Sequence, residues 1–258
     1  MLKGSPTLLA ATAIAFGLAV TPAVPASIRH VSEYDISLGL LPIARASFAS
    51  EFDGGSYRIA GSFKSSGLVN LFTRVSANTK VSGAVSGRRL QTSSYSLVYT
   101  QGKKTRVYDV SYRNGSVVST TIKPEPGTRP DTWVPVSPED LRSVMDPLSG
   151  LIFPEGSQVC PTRLPIYDGE SRLDLVLSAK GSKPFSTQGF KGDTIVCEVR
   201  YEPRSGYRKG RSDIEFLKKQ RMEVWFAKAE GANVYAPVYA RIPTRVGDVY
   251  VTAVKYGG

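Results

Sequence analysis

Few of the side chains that ordinarily carry out chemistry occur in this sequence. Its 258 residues include one histidine and two cysteines. The sole imidazole, His30, lies four residues beyond a predicted N-terminal cut and is expected in a mobile terminus, so a Ser-His-Asp hydrolase has no well-placed base. One histidine and two cysteines also fall short of the ligands of a conventional zinc site. The Gly-x-Ser-x-Gly elbow, the phosphate-binding loop and the zinc-protease helix motif are all missing. The expectation is a non-enzyme with no metal and no cofactor. Long apolar runs are scarce too. The one long apolar run, residues 8–20, is shorter than the roughly 20 residues needed to cross a bilayer, and nothing downstream is long enough.

That stretch belongs to a different pattern. Met1-Leu2-Lys3 supplies a positive start, residues 8–20 an apolar segment and Val24-Pro25-Ala26 a small-residue exit, which together read as a secretory signal over residues 1–26. Cleavage is expected after Ala26, with Ala23 as the competing site, and no cysteine stands near the cut to carry a lipid. Residues 27–258 are then a single β-rich domain in the periplasm, or alternatively a secreted one. Loss of the signal removes one lysine, so 33 basic residues fall to 32 against 22 acidic, a net charge of +10. Such a surface favours anionic partners, which after export are lipid headgroups, lipopolysaccharide phosphates or cell-wall carboxylates rather than nucleic acid. Cys160 and Cys197 are expected to pair in that compartment, closing a loop that the chain-entropy model values at roughly 3 to 4 kcal/mol. Two buried thiols are the alternative; a redox pair is disfavoured by the wide spacing.

The apolar pattern has period two, the mark of strands with one buried face. Tyr34, Ile36, Leu38 and Leu40 alternate with polar or small residues, as do Ala44, Ala46 and Phe48, then Tyr57, Ile59, Gly61 and Phe63, then Tyr95, Leu97 and Tyr99. Arg106 to Lys123 reads as a hairpin about Asn114-Gly115, a pair suited to the two positive-φ positions of a type I′ turn, with Tyr112 facing Val117 and Val110 facing Ser119. Leu173, Leu175 and Leu177 mark a further strand, and Ile195, Cys197, Val199 and Tyr201 another. Three more cover Met222 to Ala227, Val234 to Ile242 and Val249 to Tyr256. Three short helices are predicted between them: Ser66 to Phe72, Ser137 to Leu148 with its N-cap serine and Pro138, and a capping-box helix from Ser212 to Gln220. The segment from Lys123 to Pro138, with five prolines, is the one obvious linker and reads as a connection within the domain. The fold class is therefore mainly β: a large curved antiparallel sheet, an open barrel or spiral, with two or three short helices.

Three places invite functional readings. Asp168, Glu170 and Asp174 cluster in sequence, and a carbohydrate hydrolase could use two such groups at a defined separation that proximity in sequence does not establish; Asp168-Gly169 is also a good turn, and Glu170 with Arg172 a surface ion pair. The basic stretch from Arg200 to Arg221 holds Tyr207, Arg208, Lys209 and Arg211 as candidate contacts for an anionic group, against the blander reading of a solvated loop and helix face. Leu68, Leu71, Phe72, Leu141 and Met145 are candidates for a cavity wall or lid. Two roles follow. In one, the curved sheet binds a hydrophobic or amphipathic envelope molecule, lipid or glycan, with peripheral membrane contact. In the other, the same basic surface makes the protein a scaffold that supports envelope integrity by holding another protein or peptidoglycan.

At Tyr167-Asp168-Gly169-Glu170-Ser171-Arg172, Phe190-Lys191-Gly192-Asp193 and Ser205-Gly206-Tyr207-Arg208-Lys209-Gly210, the chain resembles the exported bacterial family called domain of unknown function 3108. Leu41-Pro42-Ile43-Ala44-Arg45-Ala46 and Ser66-Gly67-Leu68 fit as well, so the likeness spans nearly all of residues 27–258. The resemblance implies no reaction and no catalytic residues. More loosely, the layout is similar to spiral-sheet envelope-integrity proteins and to lipoprotein carriers whose curved sheet holds acyl chains, a comparison of architecture alone.

Overall fold

The computed structural model describes Met1, residues 27–71 and residues 73–257; the predicted signal, Met1 apart, lies outside the described residues. Seven strands follow one another up and down: β1 (Ile28–Leu38), β2 (Leu41–Asp53), β3 (Ser56–Ser65), β4 (Val75–Ser86), β5 (Arg89–Gln101), β6 (Lys104–Arg113) and β7 (Ser116–Lys123). A long crossover carries two brief strands, β8 (Trp133–Val134) and β9 (Phe153–Pro154). The second half then supplies β10 (Thr162–Tyr167), β11 (Arg172–Thr187), β12 (Phe190–Ser205), β13 (Tyr207–Arg208), helix α1 (Ser212–Leu217), β14 (Met222–Ala229), β15 (Val234–Thr244) and β16 (Gly247–Gly257). All ladders are antiparallel. β16 pairs with β1 from Val31 opposite Gly257 to Leu38 opposite Val249, which joins the two halves into one 14-stranded sheet running from β10 at one edge to β7 at the other.

Alternation decides which side chains go inside. On β3, Tyr57 and Ile59 are buried while Arg58 and Ala60, which alternate with them, are exposed. The concave face gathers Tyr34, Tyr57, Ile59, Val81, Tyr95, Val110, Tyr112 and Tyr256 into one core. Each such burial is worth roughly 1.5 to 3 kcal/mol, provided the phenols find acceptors. Three donate to backbone carbonyls: Tyr112 to Tyr167 O at 2.9 Å, Tyr256 to Ala227 O at 2.7 Å and Tyr34 to Pro237 O at 2.6 Å. A second cluster, with Leu164, Leu177, Val199 and Phe226, surrounds the Cys160–Cys197 disulfide, whose Cα atoms are 6.2 Å apart. The expected hairpin forms, with Asn114 and Gly115 at φ 52° and 74°. Tyr112 does face Val117, but Val110 faces Thr120 rather than Ser119, because Val118 is an extra, bulged residue.

The helix content differs from expectation. Among the described residues the one α-helix is Ser212–Leu217, and its N-cap is Arg211 with no side-chain cap, so the capping box does not form. Residues 67–71 make a 3-10 turn; Phe72 and the side chains of Leu68 and Leu71 lie outside the described residues. Leu141 to Leu148 is not helical. After a single 3-10 turn at Glu139–Leu141, Arg142 is extended and Ser143 left-handed. The amides that a helix would have used go elsewhere: Val144 N donates to Gly115 O at 2.7 Å and Met145 N to Pro165 O at 2.9 Å. This stretch lies between edge strand β10 and the β6–β7 turn, and the sheet curls without closing.

The crossover is pinned there by Asp146, which is fully buried. Its carboxylate accepts from Thr92 Oγ1 at 2.5 Å and from the amides of Leu148 and Ser149 at 2.9 Å, and Ser149 Oγ lies 2.8 Å from the Tyr57 hydroxyl. Buried donors left without an acceptor cost about 1 to 3 kcal/mol each. Asp146→Ala is therefore expected to lower the unfolding free energy by about 3 kcal/mol or more in urea titration, and Thr92→Val by about 1 kcal/mol.

Candidate functional site

Two of the sequence motifs and the proline-rich linker converge at one end of the sheet. The turn between β10 and β11 is made by Asp168, whose Oδ1 accepts from the amides of Glu170 at 2.9 Å and Ser171 at 2.6 Å. The Ser205–Gly210 loop lies against it. A Cβ on Gly206, at φ 73°, would stand 1.9 Å from Glu170 O, so only glycine allows this approach. On its other side the loop forms β13, whose Tyr207 and Arg208 pair with Val134 and Trp133 of β8. The linker is thus a strap tied down by a two-stranded ladder.

Between the strap and the outer edge of β7 runs an open cleft of about 460 Å3 lined by Thr120, Ile122, Glu125, Arg129, Trp133 and Glu170, among others. Arg129 lies over the Trp133 ring, 4.0 Å from its centroid, and pairs with the Glu170 carboxylate. Tyr108 also donates to Glu170, at 3.3 Å, and Arg106 stands 4.0 Å away. The expected Glu170–Arg172 pair does not form, since Arg172 turns instead to Asp174 at 2.5 Å. Arg163 at 2.6 Å and Arg204 at 2.7 Å complete a cationic clasp on that buried carboxylate. Burial alone would push Asp174 up, but the three guanidinium hydrogen bonds outweigh it and hold the carboxyl below its ordinary value. Asp168 has no cation beside it, and burial raises it despite its two amide donors. The three carboxylates are thus separately engaged, and do not face one another as an acid and a base.

A second space lies on the concave face. It is an apolar pocket of about 140 Å3 walled by Phe48, Phe63, Ala77, Tyr95, Leu97 and Leu148. Gly61 forms its floor, where a Cβ would come within 2.6 Å of the Phe48 ring. The two spaces are neighbours: Leu97 pairs across the ladder with Tyr108, whose hydroxyl reaches Glu170 in the cleft.

Of the residues singled out from sequence, Tyr207, Arg208 and Lys209 stand behind the strap, Arg208 and Lys209 exposed, while Arg211 pairs with Asp213. Leu141 is half-buried against the main core and Met145 against the disulfide-side cluster; neither lines the pocket, and Leu148, three residues on from Met145, does. Arg129 and Trp133 are not marked by the reading of residues 123–138 as a connection within the domain; a tryptophan amid five prolines is the signal that points to them. Gly61 falls in a strand pattern, where an isolated glycine is a mark of close approach.

Residues 33–254 match the family described as protein of unknown function (DUF3108). The chain belongs to that family. None of the curated proteins matches it. A crystal structure from Brucella abortus, described as a beta-barrel-like protein of domain of unknown function DUF1849, aligns with a TM-score of 0.52 at 11% identity, covering 91% of this DUF3108 chain and 98% of that one. At this identity the likeness is one of fold. A crystal structure of a "putative lipoprotein" from Parabacteroides distasonis covers 88% of this chain and 94% of its own, at 10% identity and a TM-score of 0.29, too loose for any argument. Among the described residues of this DUF3108 protein no group of His, Cys, Asp and Glu side chains could hold a metal, and no helix is long and apolar enough to cross a membrane.

His30 is not in a mobile terminus. It is a buried residue of β1, edge-on to Tyr256 with ring centroids 4.4 Å apart, and neither ring nitrogen has a hydrogen-bond partner. Burial lowers its pKa below the ordinary 6.5. The folded protein then keeps His30 neutral where the unfolded chain takes up a proton, so stability is full above pH 6.5 and falls as pH drops below it. His30→Phe is expected to remove that component, so the melting-temperature gap between variant and parent shifts in the variant's favour from pH 7.5 to pH 5. A gap independent of pH would mean His30 is not held neutral.

Proposed function

We propose that this protein is a non-catalytic, extracytoplasmic binding protein for an amphipathic molecule. The observation that carries the reading is the adjacency of the two spaces. An apolar chain end fits among Phe48, Phe63, Leu97 and Leu148, and a charged group in the cleft meets Arg129, with Arg106 on the neighbouring β6 standing 4.0 Å from Glu170. Sites for small molecules run to roughly 300 Å3 and above, so the apolar pocket alone suits the end of a chain, with the cleft holding the remainder. The disulfide fits an oxidising compartment. In this reading the stretch from Leu141 to Leu148 keeps the lid role expected of it, with Leu148 as the residue that touches the ligand and an extended backbone in place of a helix.

A second reading has one specific feature in its favour. β7 is an edge strand whose Ser116–Ile122 carries no charge and no proline, with Val118 54% exposed, the kind of edge to which another polypeptide adds a strand. That is the scaffold alternative, with a protein partner in place of a small molecule.

The deciding measurement is native mass spectrometry of protein purified from the periplasm without detergent. A bound mass is expected, reduced in Ala77→Trp, which fills the pocket, and in Arg129→Ala, which removes the cation, with melting temperatures near the parent's. Bare polypeptide in every preparation, with no lipid or fatty acid raising the melting temperature, would defeat the binding reading and favour the strand-addition one.

A further inference from the structure

The strand directions put every second turn of the sheet on the same rim. On one rim lie the β1–β2 turn, the 3-10 turn between β3 and β4, the β5–β6 turn and the β15–β16 turn. Leu40 and Val246, at the tips of the first and last of these, are the most exposed large apolar side chains among the described residues after Met1; Leu40 is fully exposed and Val246 78% exposed. Their turns are joined by a hydrogen bond from Gly39 N to Asp248 O at 2.9 Å, so the two apolar tips are neighbours.

Cations continue along the same rim, on one side of the tips. Arg245 sits beside Val246, and Lys64, Arg74, Lys103 and Lys104 are carried by the ends and turns of β3 to β6 on the same rim. Among the described residues none of these five makes an ion pair with a carboxylate. Residues 54–108 contain nine lysines and arginines and no aspartate or glutamate, so three consecutive strands carry charge of one sign. The carboxylates of β1 and β16 near this rim, Asp35 and Asp248, are paired with Arg45 and Arg241. The apolar pocket lies near the same rim, since Phe63 and Ala77 each stand two residues from the rim end of their strands.

We propose that this rim docks on an anionic lipid bilayer, with Leu40 and Val246 entering the headgroup region and the five cations meeting lipid phosphates. Two adjacent apolar tips on a rim whose cations make no ion pair with a carboxylate, Arg245 bonding only the Ser212 hydroxyl at 2.6 Å, complement such a surface in both polarity and charge. A soluble polyanion would engage the cations and leave the leucine and valine without a role. The proposal stands apart from the ligand reading, since a rim can dock whether or not the pocket is filled, and it moves membrane contact from Tyr207, Arg208, Lys209 and Arg211 to a different set of residues.

The test is co-sedimentation of residues 27–258 with vesicles of phosphatidylcholine alone or mixed with phosphatidylglycerol, at low and high salt. Binding to the mixed vesicles only, weakened by salt, is expected. Leu40→Asp with Val246→Asp, and separately Lys103→Glu with Lys104→Glu, should each lower the partition coefficient about tenfold or more. Melting temperatures and bound masses in native spectra should stay at the parent's values, which separates loss of docking from loss of fold or of ligand. Equal binding to both vesicle types, unchanged binding in the Leu40/Val246 variant, or loss confined to Arg208→Ser with Lys209→Ser would overturn the proposal. So would a concentration-dependent dimer abolished by Leu40→Asp, which would make the rim a contact between copies.

Discussion

The fold depends on how its long crossover is held in the curl of an open sheet. An unclosed sheet leaves a concave apolar face that must be covered, and here the chain covers it with its own connection between the two halves. Asp146 makes that arrangement specific. An aliphatic side chain could fill the volume, but only an acceptor with several lone pairs satisfies a threonine hydroxyl on β5 and two crossover amides at once. Through Ser149 and Tyr57 the same network reaches β3. The pocket wall at Leu148, the backbone bridge from Met145 to β10 and the uncovered part of the concave face all follow from where the crossover is pinned.

What was legible in the sequence was whatever local chemistry decides. Period-two alternation marked the strands from Tyr34 to Tyr256, and Asn114-Gly115 fixed a turn whatever surrounds it. Local signals failed where long-range partners outbid them. Leu141, Val144, Met145 and Leu148 have helical spacing, yet their backbone bonds to Pro165 and Gly115, residues that no window around position 145 contains. Glu170 and Arg172 are neighbours in sequence, but Arg129 and Asp174 are their nearer partners in space. His30 looked terminal by number, whereas β1 is an interior strand of the sheet.

The candidate site was legible in pieces and not as a place. The turn at Asp168, the Ser205–Gly210 loop and the proline-rich linker each stood out, and the fold shows why they belong together: the missing Cβ at Gly206 allows the loop against the turn, and β13 then ties the strap that walls the cleft. Most of this is support. The cationic clasp on Asp174 holds three strands together, and the groups that line open space are fewer and lie elsewhere, in the cleft at Trp133 and the Glu170-paired Arg129 and in the small apolar pocket.

The seam between β1 and β16 sets the order in which the protein can be finished. β1 can pair with β2 as soon as both are available, but Val31 must wait for Gly257 before its other edge is covered. Contacts of such sequence separation slow folding, and strand edges left open meanwhile are places where chains pair with one another. For a chain that crosses a membrane as an unfolded thread, starting from its N-terminus, the first strand through would be among the last to be sealed. During that interval the uncovered edge of β1 is a place where a second chain could pair, which makes the closing of this seam the step that ends the exposure.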